Sequence, residues 1–239
     1  MFSSRLSHGP ADLAFTDRYG GVSAPPYDEL NISVSGDDDE EAKAENHRRL
    51  LADFAPDDVL CDLYQVHGAE VVVAAPERPE RPHADGIVTD APGVTLLVRV
   101  ADCAPVLLVA AEARVVGAAH AGRPGMVAGV VPATVARMRG LGADRVEAWI
   151  GPHVCGRCYE VPEQLRAEVA AAVPASFAET SWGTPSVDLG AGLRSQLEEL
   201  DVVVHDASRC TRESPDLYSY RRDGAHTGRL AGLVRLRHA

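Results

Sequence analysis

Residues 94–121, VTLLVRVADCAPVLLVAAEARVVGAAHA, constrain this chain more than any other stretch. The run is strongly apolar, yet Arg99, Asp102, Glu112 and Arg114 interrupt it. A membrane-spanning helix needs ~20 consecutive, mostly apolar residues, so the run does not read as one. It breaks instead into three short pieces rich in Val and Leu: 94–100, 105–110 and 114–120. Pieces of that length and composition read as buried strands. The middle of the run then poses a question. Asp102 and Cys103 stand where a core strand wants only apolar side chains.

Further strands are predicted at 60–65, 70–74, 86–89, 145–150, 201–205 and 228–236, bounded by turn signals such as Asp90-Ala91-Pro92-Gly93. Helices are predicted from the acidic run 37–41 to about residue 52, and over 126–139, 163–172 and 189–200. Acidic residues suit a helix start because they offset the positive end of its dipole. Residues 15–34, rich in Gly, Pro and Ser, read as strand and loop. No repeat, low-complexity tract or linker interrupts this order. The expectation is one α+β domain over residues 1–239, with packed mixed β-sheets flanked by helices.

Length and charge narrow the function. The chain has 239 residues, 46% of them hydrophobic and 24% charged, an ordinary composition for a soluble globular protein. A net charge of −12 argues against a nucleic-acid-binding surface, which shows a basic patch. It still allows a small anionic substrate held by a few arginines. The first residues, MFSSRLSHGPADLAF, show no apolar core of a secretory signal. Five cysteines, an odd count, read as free thiols in a reducing compartment. The expected location is the cytoplasm, with no membrane partner.

Three segments share a design in which an apolar strand ends in a reactive side chain beside a small residue. They are YQVHG with His67, VADCAP with Cys103 and GAAHAG with His120. One thiolate and two imidazoles suit zinc, with a fourth position left for water or substrate. The same residues also suit a cysteine nucleophile, with His67 or His120 as base and Asp102 as orienter. Two other segments carry chemistry. HVCGRCYE places His153 beside the Cys155-x-x-Cys158 pair, a structural metal or redox motif. SYRRDGAHTGRLAG, which carries Tyr220, Arg221, Arg222 and Arg229, reads as an anion or ribose site or as a charged turn.

Taken in order, FTDRYGGVS, PYDELNISVSGDD, ENHRRL, QVHGAEV, ADGIVTD, PGVTLLVRVADCAPVLL, AAHAG, IGP, CYEV, SYRRDG and TGRLA resemble the YfiH-like family, long labelled "laccase domain" or polyphenol oxidase. The resemblance runs from about Phe15 to Leu236. It implies a CNF-toxin/YfiH-like fold. It also implies zinc bound by His67, Cys103 and His120, which serve as catalytic residues too. The implied activity is that of a purine nucleoside phosphorylase, a transferase acting on adenosine, inosine or methylthioadenosine with phosphate. Adenosine deaminase activity, a hydrolase reaction, is implied alongside. Arg48, Arg123, Tyr220, Arg221 and Arg222 are the expected substrate-binding residues. Two departures stand out: Arg123-Pro124 replaces the family's Trp-Arg after HAG, and His153 stands where many members carry Cys.

Other functions compete. A cysteine hydrolase or peptidoglycan-precursor editing factor would act through Cys103. A copper-dependent polyphenol oxidase is the older label's reading. Multicopper sites commonly use His-x-His pairs, and the nine histidines here form none. Copper would nevertheless bind the same donors in vitro, since it outcompetes zinc at most such sites. A non-enzymatic metal-holding partner is the remaining alternative. The sequence leaves the oligomeric state open.

Overall fold

The computed structural model describes residues 1–77 and 81–238. In chain order it contains β1 (Phe2–His8), β2 (Ala11–Thr16), α1 (Glu40–Phe54), β3 (Val59–Cys61), β4 (Val71–Val73), β5 (Gly86–Thr89), β6 (Val94–Val100), β7 (Ala104–Ala110) and β8 (Val115–Ala121). Then come α2 (Arg123–Ala128), α3 (Val130–Arg139), β9 (Glu147–Ile150), α4 (Glu163–Ala172), a 3₁₀ turn (Pro174–Ser176), β10 (Phe177–Glu179) and β11 (Pro185–Val187). The order closes with α5 (Leu189–Glu198), β12 (Val203–Asp206), α6 (Tyr220–Asp223) and β13 (Leu230–Leu236).

Two mixed sheets stack face to face. One has the order β1-β2-β13-β6-β3, the other β12-β9-β7-β8-β5-β4, and β10-β11 forms a small separate ribbon. Between the large sheets lie Leu13, Phe15, Leu96, Val98, Leu107, Val109, Val116, Trp149 and Val234. On the far side of the first sheet, Leu50 and Phe54 of α1 pack on Ala14, Leu97 and Leu233. On the far side of the second, α3 and α5 supply Val131, Val135, Met138, Leu193 and Leu197 against Val106, Leu108, Val115 and Ala119. This four-layer arrangement explains the apolar run. Successive strand residues point to opposite faces. Every residue of β6, β7 and β8 is buried, because both faces of each strand are covered.

Several expected elements take a different form. The helix expected over 126–139 is two helices, because Gly129 adopts φ +82 and caps α2 while opening α3. A left-handed residue at that point suits glycine, which has no Cβ to clash. The strand expected over 60–65 stops at Cys61, where the buried Asp62 begins a network of arginine contacts. The first helix starts at Glu40, with the Asp39 side chain accepting the Ala42 N–H at 2.8 Å. Strand β1 lies outside every expected element, and β2 only overlaps the expected 15–34 segment.

Candidate active site

The pairing of β7 with β8 decides where Cys103 and His120 meet. The strands are antiparallel, with Ala104 opposite Ala121 and Pro105 opposite His120. Cys103, just before β7, therefore lies beside the end of β8. His67 arrives from the loop between β3 and β4, at φ +59. The donor atoms of His67, Cys103 and His120 all lie within 4.8 Å of one another. Cys103 Sγ is 3.8 Å from His67 Nε2. The two imidazoles meet edge to face, with centroids 4.8 Å apart. Gly122 makes room for them. A Cβ there would lie 2.7 Å from His67 Cδ2 and 3.0 Å from Cys103 Sγ.

Asp85 organises this cluster, although nothing in its local sequence marks it as a site residue. It is fully buried immediately before β5. Its Oδ1 lies 2.7 Å from His120 Nδ1. The same carboxylate accepts backbone N–H bonds from Val66 (3.1 Å), His67 (3.0 Å) and Gly68 (2.7 Å). One side chain thus fixes the ring of one histidine and the backbone of the other. With Nδ1–H donated to Asp85, His120 Nε2 is the nitrogen left free to bind a cation.

Electrostatics follow the geometry. Burial pushes the Asp85 carboxyl up, but the bond from His120 and the Gly68 N–H outweigh it and hold it below the usual carboxylate range. Burial also opposes charge on Cys103, yet His120 and His67 draw its thiol down to about 6. Burial likewise opposes a charged His120, but Cys103 and Asp85 push it up to about 9. Each group thus favours charge on the other, and a divalent cation beside the thiolate can take the place of an imidazolium proton. The donor set, its second-sphere carboxylate and the space at Gly122 all suit such an ion.

Asp102 answers the rest of the opening question, and it does not orient an imidazole. Its backbone is left-handed, at φ +86. Its Oδ1 accepts the Thr211 hydroxyl at 2.5 Å and its Oδ2 accepts the Arg221 N–H at 2.6 Å. Its carbonyl accepts the Val154 N–H at 3.0 Å. Asp102 therefore ties the loops around residues 154, 211 and 221 to the strand that delivers Cys103.

The three donors open into a cavity of about 510 Å³. Its walls include Tyr64, Gln65, Arg99, Arg123, Tyr159, Tyr220, Arg221 and Arg229, with Ser33 and Ser35. Arg99 is buried. Its Nε donates to the Ile32 carbonyl at 2.6 Å, and its Nη2 pairs with Asp62 and reaches His47 Nε2 at 3.1 Å. Its Nη1 has no hydrogen-bond partner among the described residues. Gln65 clamps the Arg99 backbone from both sides, with both bonds at 2.7 Å. Arg229 also faces this cavity, and burial lowers its pKa.

The expected substrate residues divide. Arg123 opens α2 and lines the cavity. Tyr220 lines it and is half exposed. Arg221 lines it too, lying 4.6 Å over the Tyr159 ring and donating to the Glu160 carbonyl at 2.8 Å. Arg48 stands outside, on the exposed face of α1, paired with Glu45 at 2.7 Å. Arg222 is outside as well. Its guanidinium donates to the carbonyls of Thr211 (2.9 Å), Ser214 (3.0 Å) and Leu217 (2.7 Å) and pairs with Asp223. Those bonds leave it holding a loop. His153 is buried, with Nδ1 2.8 Å from the Gly151 carbonyl.

Comparison with known proteins gives a consistent picture. The sequence model of the family described as multi-copper polyphenol oxidoreductase laccase matches residues 12–237. The purine nucleoside phosphorylase SCO2081 of Streptomyces coelicolor is 52% identical, over 98% of this chain and 99% of its own length. The purine nucleoside phosphorylase Rv2149c of Mycobacterium tuberculosis is 45% identical, over 92% of this chain and 89% of its own. Among solved structures, Neisseria meningitidis protein NMB0706 superposes with a TM-score of 0.86 at 30% identity, covering 97% of this chain and 96% of its own. YlmD from Geobacillus stearothermophilus gives 0.86 at 30% identity, covering 96% and 93%.

Proposed function

The chain belongs to the family described as multi-copper polyphenol oxidoreductase laccase, and from that premise we propose that it is a zinc-dependent purine nucleoside phosphorylase. One observation carries the reading. A single cavity brings the donors of His67, Cys103 and His120 together with Arg99, Arg123, Arg221 and Arg229 in its lining. The relatives named purine nucleoside phosphorylase support it.

The chemistry assigns roles to the chain's own residues. Phosphate sits against Arg99 and Arg229, because guanidinium N–H groups match phosphate oxygens. A phosphate oxygen attacks the anomeric carbon of the ribose. The bond from that carbon to the purine nitrogen breaks, and its electron pair leaves with the base. The products are ribose 1-phosphate and free purine. Tyr64, Tyr159 and Tyr220 offer aromatic faces for the base. His67, Cys103 and His120 would hold the zinc, which when bound supplies a Lewis acid beside the substrate. Asp85 keeps His120 in the ligating tautomer and His67 in place. Adenosine, inosine and methylthioadenosine are the proposed substrates. Deamination would be a different step in the same cavity: water adds to the amino-bearing carbon of the adenine ring, the bond from that carbon to the amino nitrogen breaks, and ammonia leaves with inosine as the product.

Copper would occupy the same three donors, but multicopper oxidation needs further ions. Among the described residues, the other potential metal cluster contains no histidine. The setting is the cytoplasm, with small-molecule partners only. Among the described residues, no helix is long and apolar enough to cross a membrane.

A second reading has its own observation. Cys103, His120 and Asp85 follow one another as thiol, imidazole and carboxylate. That order serves a cysteine nucleophile. Product chromatography separates the readings. Adenosine is incubated with the purified protein, with and without phosphate, with a chelator, and beside Cys103→Ala. Phosphate-dependent adenine and ribose 1-phosphate, lost with chelator and in the variant, is the expected result. Inosine formed without phosphate reports deamination. Turnover that survives the chelator but not thiol alkylation would overturn the zinc reading in favour of the nucleophile.

A further inference from the structure

A second group of donors lies away from the cavity's histidines. Cys155, Cys158, Cys210 and Glu213 each offer an atom within 4.8 Å of the others. The sequence grouped His153 with the Cys155-x-x-Cys158 pair, but the fold replaces it. His153 turns to the Gly151 carbonyl, and Cys210 and Glu213 arrive from the loop after β12. The two loops are already registered there. His153 N–H donates to the Arg209 carbonyl at 3.1 Å and Thr211 N–H to the His153 carbonyl at 3.0 Å. Within the turn, Cys158 N–H and Tyr159 N–H both point to the Cys155 carbonyl, at 2.9 and 3.0 Å. Cys155 N–H donates to Cys210 Sγ at 3.5 Å, and Cys158 Sγ lies 3.4 Å from Glu213 Oε1.

We propose that Cys155, Cys158, Cys210 and Glu213 form a second, structural zinc site. Zinc favours four-coordinate thiolate-rich shells of this kind, and a carboxylate oxygen is an accepted fourth ligand. With Zn–S bonds of ~2.3 Å, tetrahedral geometry puts the sulfurs about 3.8 Å apart. The donor atoms lie no more than 4.8 Å apart, so reaching it takes a contraction of at most about 1 Å. A disulfide fits the set less well: it joins two sulfurs and leaves the third thiol and the carboxylate without a function. The hard carboxylate oxygen beside three thiolates favours zinc over copper(I), which prefers soft donors alone.

The site's position gives it a task. It joins the turn that carries Tyr159 to the loop that leads into Tyr220 and Arg221, and these three residues form one wall of the cavity. The ion is a cross-link behind that wall, distinct from the donors His67, Cys103 and His120.

Metal counting on the full-length protein tests this. Apo protein is reconstituted with zinc alone, freed of excess and analysed by elemental mass spectrometry. Two zinc ions per chain are expected in the wild type, one in Cys103→Ser, and one in Cys155→Ser/Cys158→Ser. Circular dichroism and the retained first zinc show that the double variant folds. Should it fail to fold, Glu213→Gln keeps the test open, with an expected loss of ~10-fold in affinity at one of the two sites. Cobalt reconstitution gives an independent readout. The second site holds three of the four ligating thiolates, so most of the thiolate-to-cobalt charge-transfer band should vanish in the double variant and persist in Cys103→Ser. One zinc per chain in the wild type would overturn the proposal. So would a non-reduced mass lower by two hydrogens, which reports a disulfide. Two zinc ions in wild type with one in Cys103→Ser but none lost in the double variant would also overturn it.

Discussion

Asp85→Asn isolates what the buried carboxylate does for the metal donors. Asp85 receives four donors, two at each oxygen: His67 N–H and His120 Nδ1 at Oδ1, Val66 N–H and Gly68 N–H at Oδ2. Asparagine keeps one oxygen and exchanges the other for an NH₂ group. If the NH₂ faces Val66 and Gly68, two N–H groups meet a donor and the loop carrying His67 loosens. If it faces His120, the ring must present a bare Nδ1 and move its proton to Nε2, the nitrogen needed for the metal. Two bonds to a charged group are lost in either orientation, at ~1.5–3 kcal/mol each. The destabilisation is therefore ~3–6 kcal/mol before relaxation. Second-sphere losses of this type weaken metal binding by roughly 10–100-fold. Competition with a chromophoric chelator reads the affinity of the first site, and urea denaturation reads the stability. An Asp85→Asn protein that binds zinc within about twofold of wild type, with an unchanged denaturation midpoint, would refute the assignment.

Further predictions follow from the same geometry. Gly122→Ala places a methyl 2.7 Å from His67 Cδ2 and 3.0 Å from Cys103 Sγ; zinc affinity should fall at least ~10-fold while circular dichroism stays unchanged. Asp62→Asn leaves the buried Arg99 without its counter-charge, a loss of ~3–5 kcal/mol at pH 7 in chemical denaturation. Burial pushes Asp62 up, but Arg81 and Arg99 outweigh it and hold its folded pKa below the ordinary value. The folded state thus binds this proton less readily than the unfolded chain. The stabilisation is present above pH ~3.9 and is lost as pH falls through the lower folded value, so the gap between wild type and variant should close below pH ~4. Arg99→Lys exchanges a planar fork for a point charge; KM for phosphate should rise ~10-fold with KM for nucleoside little changed in steady-state assays.

Much of this architecture was legible because burial writes itself into composition. Strands β5 and β6 begin and end where the Val- and Leu-rich pieces do, and α4 spans its expected residues. Strand β1 escaped notice because FSSRLSH is mostly polar and only partly buried, so it lacks the apolar signature. The candidate site was legible only as far as resemblance reached. His67, Cys103 and His120 stand in recognisable motifs, but Asp85 acts on residues distant in sequence and has no local spacing to betray it. Arg99 looked like an interruption of an apolar run. Its role depends on Asp62, Gln65 and Ile32, which meet it only after folding. Arg48 and Arg222 resembled anion ligands in sequence, yet nearby Glu45 and a set of loop carbonyls occupy their guanidinium groups. Asp102 carried a local clue, its place beside Cys103, that pointed to the wrong partner.

The attachment of Asp102 has a bearing on how the pocket can diversify. The peptide that anchors the Tyr220–Arg221 wall is continuous with the one that presents the thiol, so no slack separates them. Reshaping that wall to admit a bulkier nucleoside would drag the Cys103 sulfur along with it. The Ser33–Ser35 loop borders the same cavity from a separate segment and bears none of the three donors. Changes in substrate range, whether by selection or by design, have their freest ground there.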